Sequence, residues 1–140
     1  MKPINPWKDV AFDSKWEEET IKCLVNTVPD ALAKPKSITY VRPATPHKYH
    51  PDLQVGNTLI ELKGRFRTKE EWSKYLHIRN SLPTDQELVF LFMKPLNAMP
   101  HVQKRKDGTK MTHAEWAEKN GFKWFTSKTI GTYLKGIKHG

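Results

Sequence analysis

The 140-residue sequence has a single cysteine, Cys23, which excludes an intramolecular disulfide and is compatible with a reducing compartment. It has no apolar run near the ~20 residues that a membrane-spanning helix needs, so a membrane protein is excluded. The opening Met1-Lys2-Pro3-Ile4-Asn5-Pro6 lacks the apolar stretch of a signal peptide, and a secreted mini-protein is not expected. No glycine-rich phosphate loop is present, so neither nucleotide hydrolysis nor a nucleotide cofactor is expected. There is no internal repeat and no low-complexity segment. Histidine is present six times but without ligand spacing. His47 and His50 stand three apart in a proline-rich stretch, and no second pair completes a zinc set. Acids are missing altogether after Glu118, where five lysines follow.

Apolar residues make up 37% of the chain and aromatic residues 11%, too much for a disordered polymer. The length implies one domain over residues 1–140 with one core. The formal net charge of +9 is unevenly spread. Residues 1–33 carry four Lys against six acids, whereas residues 34–140 carry twenty basic and nine acidic side chains. Such a surface attracts polyanions, nucleic acid above all; a basic protein without such a partner is the alternative.

The periodicity predicts a mixed α/β fold with a small central sheet flanked by helices. Phe12, Trp16, Ile21, Leu24, Val25 and Val28 recur at helical spacing, with Ser14 and Glu17 as a capping box and Pro29 as a stop. Ser37–Val41 reads as a strand, and Arg42-Pro43-Ala44-Thr45-Pro46 as a stiff extended connector. Two strands, Asp52–Val55 and Thr58–Lys63, are joined at Gly56-Asn57, a hairpin signal. Thr68-Lys69-Glu70-Glu71 caps a helix that ends before Pro83. Leu88–Met93, apolar throughout, predicts a strand covered on both faces. Thr112–Asn120 predicts a capped helix closed by Gly121, and Ser127–Lys135 one more short helix. Cys23 and the five tryptophans are expected to pack in the core.

Two groups of residues could carry chemistry. At ~100° per residue, Glu17 points with Ile21, Leu24 and Val28, while Glu18 and Glu19 rotate away. A carboxylate aimed into an apolar face needs a cation or a metal; the alternative is a first-turn acid that caps its own helix. On the hairpin, Glu61 and Lys63 lie two apart and share a face, and Asp52 opens the neighbouring strand. Two carboxylates on paired strands suit a hard divalent cation such as Mg²⁺. A lysine beside them can orient a water or offset phosphoryl charge. The pattern Pro51-Asp52…Glu61-Leu62-Lys63 is the PD-(D/E)xK nuclease signature.

Further stretches carry a resemblance to one family. Ala11–Glu17, Tyr40-Val41-Arg42-Pro43-Ala44, Tyr49-His50-Pro51-Asp52, Glu61-Leu62-Lys63-Gly64, His77-Ile78-Arg79 and Glu118–Lys123 together resemble phage T-seven-type endonuclease I, a Holliday-junction resolvase. The likeness runs in order from Phe12 to Leu134. It implies a restriction-endonuclease-like core and a phage-type nuclease of the cytoplasm, that of the host cell if phage-encoded. Glu17, Asp52 and Glu61 would be the metal-binding carboxylates and the Leu62 carbonyl a further ligand. Lys63 would be the catalytic lysine, with Mg²⁺ as cofactor and Mn²⁺ able to substitute. The partners implied are branched or four-way DNA and a second copy of the chain. In that family a strand swap across a proline-containing bridge, here residues 42–46, joins dimer halves so that Glu17 of one chain completes the site of the other. The chain departs from the family where it reads Leu32-Ala33-Lys34-Pro35, with no counterpart to an additional acid. Its N-terminal arm, with Lys2 and Lys8 offset by Asp9 and Asp13, is also less basic.

Lys63, Arg65, Arg67 and Lys69 follow the acids, with Lys74 and Arg79 beyond and Lys104-Arg105-Lys106 in a later loop. These side chains can track a phosphate backbone without reading base sequence. The alternatives that keep this surface are a homing, restriction-like or transposon-end nuclease on linear duplex, or a non-enzymatic nucleic-acid-binding protein.

Overall fold

Two mostly apolar strands organise the molecule. In the computed structural model, which describes Trp7, residues 10–42 and residues 45–137, β5 (Thr58–Lys63) and β6 (Glu87–Phe92) pair in parallel. Leu59, Phe90 and Phe92 project to one side, and Ile60, Leu62, Val89 and Leu91 to the other. A parallel pair of this kind must be covered on both faces, as the Leu88–Met93 run predicts, though β6 begins and ends a residue earlier. β4 (Leu53–Val55) and the edge strand β1 (Ala31–Ala33) extend the sheet on one side, and β7 (Trp124–Phe125) on the other. The strand order is β1-β4-β5-β6-β7. Gly56, at φ 56°, sits in the turn of the β4–β5 hairpin, in the left-handed region that such two-residue turns require.

Helices cover the two faces. On one side α2 (Lys69–Ser81) and α3 (His113–Lys119) bring Tyr75, Ile78, Trp116 and Ala117 against Leu59, Phe90 and Phe92. On the other, α1 (Lys15–Thr27) and α4 (Ile130–Lys135) bring Ile21, Leu24, Ile130 and Leu134 against Ile60, Leu62 and Leu91. Each fully buried side chain of this size contributes about 1.5–3 kcal/mol. β2 (Ile38–Arg42) and β3 (Thr45–Tyr49) form a separate antiparallel ribbon that adds Tyr40 and Tyr49 to the α2 side.

Several expectations shift. The segment read as a stiff connector contributes to β2 and β3, which pair with each other through Arg42↔Thr45; Pro43 and Ala44 lie outside the described residues. Lys2, Lys8 and Asp9 of the arm also lie outside them. β1, β3 and β7 carry no alternating pattern of their own and form because a neighbour offers its edge. Cys23 is exposed rather than in the core, because it stands about 200° round the helix from the buried Ile21. Arg79 does not face outward to a ligand. Its guanidinium lies 4.5 Å over the Phe122 ring and donates to the Asn120 carbonyl at the end of α3. There Phe122 N–H donates to the Ala117 carbonyl at 2.8 Å and Gly121, at φ 78°, supplies the left-handed closing residue.

One buried polar group ties the loops together. His113 Nε2 accepts from the Phe66 N–H at 2.8 Å and its Nδ1 lies 2.8 Å from the Asn97 carbonyl, the pattern of a neutral imidazole donating from Nδ1. Its ring stacks on Phe66 at 5.2 Å. Burial holds the imidazole below its ordinary range, only partly offset by the Asn97 carbonyl. The unfolded chain therefore takes up a proton that the native state refuses. His113 stabilises the fold fully above the usual imidazole pKa of about 6.5, and that contribution is lost as the pH falls below it. The difference in melting temperature between the native protein and H113Q should accordingly narrow between pH 7 and pH 5, measured by circular dichroism at each pH.

Candidate active site

The β4–β5 hairpin builds the centre of the site. Its register, Leu53↔Ile60, brings Asp52 level with Glu61 at the end where β5 continues to Lys63. Both acids are buried. Asp52 Oδ2 accepts from the Leu62 N–H at 3.0 Å, and Glu61 Oε1 accepts from the Tyr49 hydroxyl at 2.7 Å. Lys63 Nζ lies 3.9 Å from Glu61 Oε2 and 3.2 Å from Glu71 Oε1 of α2. Burial, and next the charge of Asp52, push the Glu61 carboxyl up to about 8, against the smaller opposing pull of Lys63 and Tyr49. Burial and then the Glu61 charge likewise hold the Tyr49 and Tyr75 hydroxyls well above their ordinary range.

Glu17 arrives from the other face. Ser14 caps α1 by accepting from the Glu17 N–H at 3.0 Å, yet the reciprocal half of a capping box, present in α3, is replaced here. The Glu17 carboxylate reaches back only to the Asp13 N–H, at 3.4 Å, and is engaged chiefly by the ammonium of Lys34. The same ammonium lies 3.1 Å from Asp52 Oδ1. The inward-pointing acid thus has its cation, and it is a residue that no sequence motif singled out. Lys34 follows β1 in the left-handed region at φ 48°, and its N–H donates to the Asp52 carbonyl at 2.9 Å. A side-chain-bearing residue there costs about 1–2 kcal/mol, which the surrounding bonds sustain. Burial pulls the Lys34 ammonium down, but hydrogen bonds and charge from Glu17 and Asp52 together raise it above its ordinary value.

The sequence-derived set is therefore brought together in pairs. Lys34 joins Glu17 to Asp52, and Asp52 stands beside Glu61, whose carboxylate is turned to Tyr49. Among the described residues no three His, Cys, Asp or Glu side chains are gathered as a ready metal cluster. Two observations nevertheless fit a hard divalent cation. Oxygens of Glu17 and Asp52 converge on a single positive charge, and the neighbouring carboxylates Asp52 and Glu61 repel each other in a buried setting. Tyr49 and Glu71 were also missed as site residues. Tyr49 lies in the Tyr49-His50-Pro51-Asp52 stretch, and the sequence marks Glu71 only by its capping position.

A cleft of about 650 Å³ opens beside these groups, lined by Glu17, Leu62, Lys63, Arg65, Arg67 and Lys94 among others. Arg65 and Arg67 thus share the cleft with Glu17 and Lys63, and Lys94 joins them from just beyond β6, whereas Asp52 and Glu61 do not line it. Lys69 and Lys74 line a separate shallow depression on α2. Lys104, Arg105 and Lys106 are exposed on their loop, where Arg105 pairs with Glu115 at 2.5 Å.

The phage endonuclease I family model matches residues 4–138, almost the whole chain. This chain belongs to the phage endonuclease I family. The family takes its name from an endonuclease, and a basic cleft near buried acids is compatible with that name. No curated protein matches the chain. Among solved structures, the crystal structure of protein VC1899 from Vibrio cholerae is similar at 15% identity and a TM-score of 0.45, over 85% of this chain and 30% of that one. No helix among the described residues of this endonuclease I family member is long and apolar enough to cross a membrane.

The raised Glu61 carboxyl has a measurable signature in metal-free protein. Its folded pKa, about 8, lies above the ordinary carboxyl value of 4.5, so the native state holds a proton that the unfolded chain releases. Glu61 then stabilises the fold fully below pH 4.5 and loses that contribution as the pH rises through about 8. E61Q should abolish this alkaline decline, giving a flatter melting temperature between pH 5 and pH 9 than the native protein in chelator.

Proposed function

We propose that this chain is a divalent-metal-dependent endonuclease selective for branched DNA, a Holliday-junction resolvase acting as a homodimer. The observation that carries the reading is the meeting of Asp52, Glu61 and Lys63 at one end of the β4–β5 hairpin, with Glu17 arriving from α1 beside an arginine-flanked cleft. Glu17, Asp52 and Glu61, with the Leu62 carbonyl, would hold Mg²⁺ or Mn²⁺. Such an ion supplies Lewis acidity and a water of lowered pKa.

The chain's own groups do the rest. Lys63 is fixed by Glu71 and lies 5.6 and 5.3 Å over the rings of Phe66 and Tyr75, so its ammonium is pre-oriented. It offsets charge developing on the scissile phosphate or orients the attacking water. Arg65 and Arg67, with Lys94, grip phosphates at the cleft, and Lys69, Lys74, Lys104, Arg105 and Lys106 extend that contact along the DNA. Arg105 is available because its exposed pair with Glu115 exchanges readily with a phosphate. Contacts of this kind position the substrate and leave sequence unread.

The dimer reading rests on the family resemblance, and the β2–β3 ribbon is compatible with it. If β2 of one chain pairs with β3 of a second, with residues 42–46 as the bridge, then α1, β1 and Lys34 cross together. The contacts of Lys34 with Asp52 are then kept, but between chains.

A labelled four-way junction with Mg²⁺ tests the chemistry. Cleavage should appear with metal and fall at least about 100-fold in D52N, since loss of a ligand exceeds the usual loss for its supporting groups. Undiminished cutting by D52N would remove Asp52 from the site. Equal cutting of linear duplex would favour a homing or restriction-like role, and binding without metal-dependent cleavage a non-enzymatic one. Light scattering should find a dimer at micromolar concentration; a stable monomer there contradicts the swap.

A further inference from the structure

We infer that Lys34 is a displaceable internal counter-ion, which holds Glu17 and Asp52 together in the metal-free protein and must withdraw when a divalent cation binds between them. The inference rests on the metal-binding reading of the site proposed above.

Three observations carry it. First, one ammonium serves both acids, hydrogen-bonded to Glu17 Oε1 and 3.1 Å from Asp52 Oδ1. It therefore occupies the point on which those oxygens converge, the point a shared metal would need. Secondly, the root of the side chain is fixed by backbone pairing, whereas its tip is held only by the two acids and the face of the Phe12 ring, 5.7 Å away. The Lys34 backbone is bonded to the Asp52 carbonyl at 2.9 Å and continues the β1–β4 pairing through Ala33↔Leu53. The Lys34 side chain is 26% exposed, against 7% for Glu17 and 11% for Asp52. The lysine has a way out to solvent on a long flexible stem, and the carboxylates do not. Thirdly, Lys63 is not an alternative partner for these two acids, because it is committed to Glu71 at 3.2 Å and stands nearest to Glu61.

Charge decides the consequence. Two buried acids without a cation are strongly unfavourable, so a lysine that stands in for the metal keeps the empty site folded. A lysine and a divalent ion cannot share the same oxygens, since like charges at that separation repel. Metal affinity is thereby set below what the acids alone would give. Lys34 acts as a positioning residue whose withdrawal accompanies loading of the site.

Titration of the full-length native protein and K34M with Mn²⁺ alone, with free ion read by electron paramagnetic resonance, tests this directly. K34M should bind Mn²⁺ at least about tenfold more tightly than the native protein. It should also melt at a lower temperature in chelator and recover more on adding Mn²⁺. Equal or weaker Mn²⁺ binding by folded K34M, with the native protein binding normally, overturns the counter-ion role alone. Absence of Mn²⁺ binding by both proteins overturns the metal reading and this inference with it. A second measurement needs no variant: acylation of lysines in the native protein, read by mass spectrometry. Labelling of Lys34 relative to the exposed Lys48 should rise when Mn²⁺ saturates the site, and an unchanged ratio overturns the inference.

Discussion

The constraint on which the structure turns is the burial of carboxylates at one end of the sheet. Asp52, Glu61 and Glu17 are all withdrawn from water, and each has a named group that makes this tolerable. Asp52 takes the Leu62 N–H and the Lys34 ammonium, Glu61 takes the Tyr49 hydroxyl, and Glu17 shares Lys34. The acids and their partners come from five places in the chain: just after β1, the end of β3, the end of β5, the start of α1 and just before β4. The site is thus an obligation placed on the whole fold. Burial, and then the charge of Asp52, raise the proton affinity of Glu61, and the molecule holds that tension at its candidate site.

The sheet makes the arrangement possible. β5 lies in its interior, so its two faces look into two separate apolar clusters, and its polar residues emerge only at its far end. Phe66, just beyond that end, packs on Phe90, Phe92, Trp116 and the His113 ring. The backbone carrying Lys63, Arg65 and Arg67 therefore leaves the sheet along a path pinned by aromatic packing. The charged groups of the cleft are in this way mounted on a rigid support.

Much of this was legible in the residues, and what was not has identifiable causes. Gly56-Asn57, Thr68 and Thr112 are local signals, so the hairpin and two helix starts fall where turn and cap chemistry put them. Glu61 and Lys63 share a face by strand period alone. Cys23 went to the surface because an apolar residue type says nothing about its angle on the helix. β1 and β7, three and two residues long, exist only as edges added to a formed sheet. Lys34 was hidden for the same reason. Its part depends on a left-handed backbone and on a strand pairing that no neighbouring residue announces, and an aligned family pattern marks only the missing acid. Tyr49 was within a recognisable stretch, but its bond to Glu61 requires the ribbon to lie against β5.

Helix α2 joins the candidate site to the closing turn of α3. Glu71 in its first turn holds Lys63, and Arg79 in its last turn is clamped to Asn120 and Phe122 where α3 closes. Two helical turns, about 12 Å of stiff rod, separate those anchors. The helix therefore behaves as a strut braced at both ends, and the aim of the Lys63 ammonium is set partly by how α3 terminates on the far side of the domain.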